Sequence, residues 1–237
     1  MTKLYLTQLI CGYSMKVMTH IIQKEILARL ITHPYLRFSE LKPKHIESNH
    51  FMYHLKSLMK DGLVVKNDEG LYLLSAEGKQ LADNMSLETY KPRKQPNIVT
   101  LITCQNEKGQ WLVYKRARQP LIDQVGFVYG KIHLGETISE AAHRELKEKS
   151  GLQCQLTHKG DGYITIYESG EPVSQILFHL FYGKNPYGEI TSTKKPGKAF
   201  WAWQEEFGHE PYMVSMSELA RLAKESKDHF FVELTYK

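Results

Sequence analysis

No run of apolar residues in this 237-residue chain approaches the ~18 that a membrane-spanning helix needs, which excludes a helical membrane protein. Cysteine is scarce. The three, Cys11, Cys104 and Cys154, lie far apart with no CxxC spacing, which excludes a Cys-rich zinc site and gives no disulfide framework. The opening Met1–Tyr13 lacks the pattern of a secretory signal, because Thr7, Gln8 and Gly12 interrupt it and no small-residue cleavage site follows. The expectation is a reduced, cytoplasmic protein with three packing thiols. Internal repeats and low-complexity tracts are missing too. With 42% apolar and 24% charged residues the chain is too apolar to be disordered, and its length suits one large or two modest domains.

Charge is present, but unevenly. Up to Gln95 there are 14 Lys/Arg against 9 Asp/Glu, whereas the remainder holds 17 of each. The whole excess of +5 sits in the first part, where a polyanion is drawn. Lys91-Pro92-Arg93-Lys94-Gln95-Pro96 reads as a linker, since two prolines neither continue a helix nor donate to a ladder. The domains are therefore expected at 1–90 and 97–237, with 91–96 between them.

In the first, Ile21, Ile22, Ile26, Leu27 and Leu30 recur at helical spacing and Pro34 follows. Ser39-Glu40-Leu41 opens a short second helix that Pro43 ends. Ser48 or Asn49 is placed to cap a third, with Phe51, Leu55, Leu58 and Met59 as its apolar stripe and Gly62 as its left-handed terminator. Leu63–Lys66 and Leu71–Leu74 flank the turn Asn67–Gly70 as a hairpin, and a last helix is expected around Glu77–Met85. This order over roughly residues 18–86 resembles the winged helix-turn-helix of MarR- and ArsR-type regulators. The resemblance implies binding of double-stranded DNA and leaves room for a homodimer. It assigns His50, Tyr53, His54 and Ser57 to the major groove, Lys56 and Lys60 to flanking phosphates and Lys66 to the wing. His50 and His54 also have the i, i+4 spacing of a metal pair, but no carboxylate or Cys cluster is near them in sequence.

The second part carries a sharper signal. Ile98–Ile102 and Trp111–Tyr114 read as strands, and Gly130 to Leu152 follows the pattern Gx5Ex7REUxEExGU, with U aliphatic. Gly130, Glu136, Arg144, Glu145, Leu146, Glu148, Gly151 and Leu152 fall in register, whereas Lys149 stands at the second Glu of the EE pair. Val128-Tyr129 leads into the pattern, where the family that it resembles commonly has Pro-Gly. With Ile138 as zero and about 100° per residue, Ala142 lies near +40°, Glu145 near −20°, Lys149 near +20° and Glu148 near −80°. Glu145 and Lys149 thus point the way the apolar residues point, and a charge turned inward must be paired or bound to a cation. The alternative is an ordinary i, i+4 salt bridge.

The segment resembles the Nudix box. That resemblance implies, over roughly 97–237, an α/β/α sandwich around a mixed sheet, so the whole is an α/β protein with an N-terminal winged helix. It implies a hydrolase that cleaves a nucleoside diphosphate linked to another moiety. Mg²⁺ or Mn²⁺ would be held by Glu145 and Glu148 with help from Glu136, and Glu145 is also a candidate base. Arg144 would orient the glutamates and Gly130 would let the loop turn tightly. Lys115, Arg116 and Arg118 leave the second strand together, either to meet substrate phosphates or as a solvated strand end. Glu189, Glu205 and Glu206 are candidates for a further carboxylate, Tyr163, Tyr167, Phe178 and Trp203 for stacking on a base, and Thr191–Lys198 for a mobile loop. At the cation site Lys149 replaces −1 by +1. Either it swings away, or fewer metals bind, or its ammonium takes one cation's place and holds a phosphate. The last outcome describes a regulator that senses a nucleotide-type ligand without cleaving it.

Overall fold

The structure is a computed structural model that describes residues 9–10, 13–14, 20–191 and 195–236. Cys11 and most of the opening segment lie outside the described residues, as do residues 192–194 of the expected loop. The chain divides into two units, Met1–Lys94 and Gln95–Lys237.

The first unit holds a short pair, β1 (Leu9–Ile10) and β2 (Tyr13–Ser14), then helices α1 (Ile21–Thr32), α2 (Phe38–Leu41) and α3 (Ser48–Lys60). A hairpin of β3 (Val64–Lys66) and β4 (Tyr72–Leu74) and helix α4 (Ala76–Asp83) complete it. Leu36 pairs with Tyr72 and so adds one bridge to the hairpin. Leu27 and Leu30 of α1, Phe51, Leu55 and Leu58 of α3, and Val64 and Leu74 of the hairpin share one core. Gly62, at φ 76°, ends α3 where a side chain would be strained. Ser48 and Asn49 do not cap α3. The helix is entered from Glu47, whose carbonyl accepts from Phe51 N, and both residues are already helical.

The second unit is a seven-stranded mixed sheet. Its strands are β5 (Asn97–Gln105), β6 (Trp111–Arg116), β7 (Val125–Lys131), β8 (Thr157–Glu168), β9 (Glu171–Lys184), β10 (Gly197–Ala202) and β11 (Phe230–Tyr236), in the order β10-β6-β7-β5-β9-β8-β11. The β5–β9 and β8–β11 pairs are parallel and the rest antiparallel. Helix α5 (Ile138–Ser150) places Ala142 and Leu146 against Ile102, Leu112 and Val128 on one face. Helix α6 (Met216–Glu225) places Leu219, Ala220 and Ala223 against Val99, Leu101 and Phe178 on the other. Gly197 and Lys198, expected in a loop, are β10, where they pair with Arg116 and Lys115. Cys104 and Cys154 are buried, free thiols.

Candidate functional site

Helix α5 is fixed at both ends by local chemistry. Thr137 Oγ1 accepts from Glu140 N (3.2 Å) while Glu140 Oε2 accepts from Thr137 N (2.9 Å), a reciprocal cap. At the other end Gly151 takes the left-handed conformation, φ 81°. With the helix pinned, Glu145 faces the sheet and is 5% exposed.

Arg144 is the hub. Its Nε and Nη2 donate to the two oxygens of Glu136 at 2.6 and 2.8 Å, a bidentate fork, and Nη2 also reaches Lys131 O at 2.9 Å. Nη1 donates to Glu145 Oε1 at 2.6 Å and lies 3.5 Å from Glu148 Oε2. The guanidinium fork holds the Glu136 carboxyl down at about 2, helped by the His133 N–H, while partial burial pulls the other way. Glu148 is also held below its ordinary range, chiefly by Lys195, whose Nζ lies 3.0 Å from Oε2.

Gly130, on β7, makes room for this cluster. A Cβ there would fall 1.8 Å from Glu145 Cδ and 2.2 Å from Oε2. The requirement is steric, since its φ is not in the left-handed region. Gly130→Ala is therefore expected to lower stability by about 1–3 kcal/mol, the ordinary cost of overpacking, and to push the Glu145 carboxylate off Arg144. Urea unfolding measures the first effect. An unchanged midpoint would mean that Glu145 relaxes without resistance.

Lys149 lies inward beside Glu145. Its ammonium donates to Tyr129 O, lies over the rings of Tyr129 and Tyr114 at 4.1 and 5.1 Å, and is 3.6 Å from Glu145 Oε2. Burial pushes the ammonium down to about 8, although Glu145 draws it upward. Sequence reasoning did not single out Tyr114 or Tyr129. Both come from strands, and only the pairing of β6 with β7 brings them beneath α5.

The carboxylate oxygens are of the kind that Mg²⁺ or Mn²⁺ accept. Glu145 Oε2 is buried without a hydrogen bond and faces the Lys149 ammonium at 3.6 Å, so a metal ion there would compete with that ammonium. The charges do not fit as well. Glu136, Glu145 and Glu148 already face Arg144, Lys149 and Lys195, three negative groups against three positive. An ammonium ~4 Å from a divalent ion, at an effective dielectric near ~20, repels it by about 8 kcal/mol before screening. The residues fit one divalent ion only if Lys149 or Lys195 moves or loses its proton.

A cavity of about 390 Å³ opens from this cluster, within the size range of small-molecule sites. Gly130, Glu145 and Lys149 form one end, and Val99, Leu101, Phe127, Ile164 and Ile176 an apolar wall. Arg116 and Arg118 line it as well, Arg116 lying 4.7 Å above the Tyr129 ring with Nε donating to Pro120 O. Lys115 instead pairs with the exposed Asp123 at 3.0 Å.

Other expected residues stay away. Glu189, Glu205 and Glu206 do not line the cavity, and Glu206 is taken up by Trp203 N and the Tyr212 hydroxyl. Phe178 is fully buried core, and neither Tyr163, Tyr167 nor Trp203 reaches the cavity; its aromatic groups are Tyr114, Phe127, Tyr129 and Tyr236.

In the first unit, Tyr53, His50, Lys56, Lys60 and Lys66 are exposed. His54, expected at the surface of a groove-reading helix, is 6% exposed. It stacks on His20 at 3.9 Å between ring centroids and meets His50 Nε2 at 3.2 Å. Burial, then His20 and His50, lower its affinity for a proton. Ser57 is half-buried and accepts from Gln23 Nε2 at 3.2 Å. Neither side chain is presented as the sequence reading expected.

Among solved structures, the MutT protein from Bacillus halodurans is 22% identical, with 60% of this chain and 90% of that one covered at a TM-score of 0.47. The NUDIX domain of Shewanella oneidensis NrtR, solved with ADP ribose, is 16% identical, with 59% and 94% covered at 0.48. A Bacillus subtilis (strain 168) protein named "Putative 8-oxo-dGTP diphosphatase" is 37% identical over 84 residues, which are 35% of this chain and 50% of that one. The chain thus spans about half the length of that relative. The family description "NUDIX domain" matches residues 94–230, which contain the Arg144 hub, the glutamates around it and the cavity wall. By that match over more than half its length, the chain belongs to the NUDIX family.

Proposed function

We infer that the second unit binds a nucleotide-type ligand, a nucleoside diphosphate linked to another moiety, and that Lys149 makes it a receptor for the phosphates more than a catalyst of their cleavage. The observation that carries this is the Lys149 ammonium beside Glu145 in a charge-balanced cluster. A bound diphosphate would bring negative charge to Arg116 and Arg118, which line the cavity without an ion pair among the described residues, beside Lys149. The apolar wall suits the nucleoside. In this reading Arg144 holds the carboxylates still, and Lys149 supplies a fixed positive charge where the family pattern has a carboxylate.

A second reading is favoured by Glu145 Oε2, which is buried without a hydrogen bond and has the Lys149 ammonium at 3.6 Å as its ion-pair partner. If Lys149 gives up its proton, Glu145 and Glu148 would hold one Mg²⁺ or Mn²⁺, which polarises a phosphate and activates water, and the protein is a slow Nudix hydrolase. Titration of ADP-ribose, nucleotide sugars, dinucleotides and oxidised nucleotides with Mg²⁺ or Mn²⁺, followed by product analysis, separates the two. Binding without turnover is expected. Rapid cleavage of any of them by the unaltered chain would establish the hydrolase reading in its place.

The first unit we read as a winged helix that binds double-stranded DNA, which makes the whole a ligand-responsive regulator. The charge excess, the helix order, and Lys56, Lys60 and Lys66 at the surface support this. Full-length protein should shift genomic fragments in a gel, with affinity falling steeply as salt rises. Replacing Lys56 and Lys60 by alanine should lower the salt slope by roughly 2, if each meets one phosphate. No retention at low salt would end the DNA-binding reading.

A further inference from the structure

A second chemical cluster lies on the same sheet, away from the cavity. Along β8 the register against β9 slips between His158 and Gly160, so one extra residue enters the strand. Side chains two apart share a face in a regular strand. The bulge instead turns His158 to the side of Asp161. His179 of β9 stands directly opposite Asp161, and His229 immediately precedes β11, whose Phe231 pairs with Asp161 on the other side.

The result is three imidazoles on one carboxylate. His158 Nε2 is 2.8 Å and His179 Nδ1 2.7 Å from Asp161 Oδ1, and His229 Nε2 is 3.2 Å from Oδ2. Donor atoms of His158, Asp161 and His229 all lie within 4.8 Å of one another. In a tetrahedral site with bonds near ~2.0 Å, donors stand roughly 3.3 Å apart, so a small closing movement of His229, the most exposed of them, completes the triangle. No hydrogen bond to Nδ1 of His158 or His229 is found among the described residues. A shift of the ring proton to Nδ1 therefore frees both Nε2 lone pairs with no loss of charge. None of the four residues lines the cavity, and β8 stands three strand spacings from β7, about 14 Å at ~4.8 Å each.

We propose that His158, Asp161 and His229 form a binding site for a divalent transition-metal ion of the zinc class, with His179 orienting Asp161 through its Nδ1–H and a fourth coordination position left open. Two imidazoles and one carboxylate suit zinc or cobalt, not the hard ions that the glutamates would take. The ion adds a side-chain tie between β8 and β11, the last strand of the sheet, to the backbone ladder that already joins them.

The test uses the full chain and Zn²⁺ as probe, with Mg²⁺ in excess to compete at the carboxylates of the cavity. The parent should keep one equivalent of zinc after desalting, unfold at a higher temperature with zinc than without, and give a visible absorption band with Co²⁺. His229→Gln and Asp161→Asn should each weaken binding by more than tenfold and lose the zinc-dependent rise. His179→Ala should weaken binding 10–100-fold, the usual effect of losing an orienting partner. His229 is 55% exposed at a strand end, so its replacement leaves the fold in place, as thermal unfolding without zinc verifies. The proposal is overturned if the parent retains no zinc or if His229→Gln and Asp161→Asn bind as the parent does. It also fails if His50→Ala with His54→Ala removes the metal, because the ion would then belong to the trio of His20, His50 and His54 in the first unit.

Discussion

Lys149→Glu is expected to invert the ion preference of the cavity. The substitution takes the cluster from three negative and three positive groups to four and two, a net of −2 that one divalent ion neutralises. The repulsion of about 8 kcal/mol between ammonium and metal disappears, so even a small realised part of it raises Mn²⁺ affinity by at least two orders of magnitude. Without metal the variant should be less stable than the parent, since a carboxylate would then face Tyr129 O where the ammonium donates now. Mn²⁺ should restore that stability, because an ion that binds only the folded form shifts unfolding by mass action. In metal-free buffer the affinity for ADP-ribose should fall at least tenfold if Lys149 holds a phosphate, and with Mn²⁺ cleavage should appear or quicken. Calorimetry of metal and ligand into both chains, beside a phosphate-release assay, reads all of these. A variant equal to its parent in metal binding, ligand binding and turnover would place Lys149 outside the chemistry of the site.

Much of this site could be read along one helix. The reciprocal cap, the terminating Gly151 and the 100° step all act between neighbours in sequence, so the inward direction of Glu145 and Lys149 and the edge position of Glu148 follow from counting. What surrounds Lys149 does not. Tyr114 and Tyr129 reach it through strand pairing, and Lys195 reaches Glu148 from residues nearly fifty positions along the chain. The burial of His54 is legible in the helical spacing, although it was expected at the surface. On the same 100° step it stands about 60° from Phe51, on the flank of the apolar stripe of α3, and its polarity masked that position. That His20 joins His54 depends on how α1 packs on α3, which no local rule supplies. The cluster around Asp161 was hidden more thoroughly. Regular alternation sends His158 and Asp161 to opposite faces, and only the bulge reverses it.

Lys149 should also leave a signature in the pH dependence of stability. Its ammonium titrates at about 8 in the folded chain against an ordinary value of 10.5, because burial disfavours the charge. Between those two values the unfolded chain binds more protons than the folded one, so this group makes stability rise with pH across that window. Below about pH 8 both states carry the proton and the cost of burying it is fully present. The gain from pH 7 to pH 10.5 is about 3 kcal/mol at most. Tyr114 works in the opposite sense, since burial raises its hydroxyl and the folded state resists its ionisation. The quantity to measure is therefore the difference between the parent and Lys149→Met, which keeps the length of the side chain and removes the titration. Urea unfolding of both at intervals from pH 7 to pH 10 should show the parent gaining on the variant by up to a few kcal/mol, mostly above pH 8. A phosphate bound at Lys149 should stabilise the ammonium and erase the gain, so saturating ADP-ribose should bring the two curves parallel and its binding near pH 8 should take up a proton. Parallel curves without any ligand would show that the Lys149 charge is as well solvated in the folded chain as in the unfolded one, and the ammonium would then be too accessible to act as the fixed cation of the cavity.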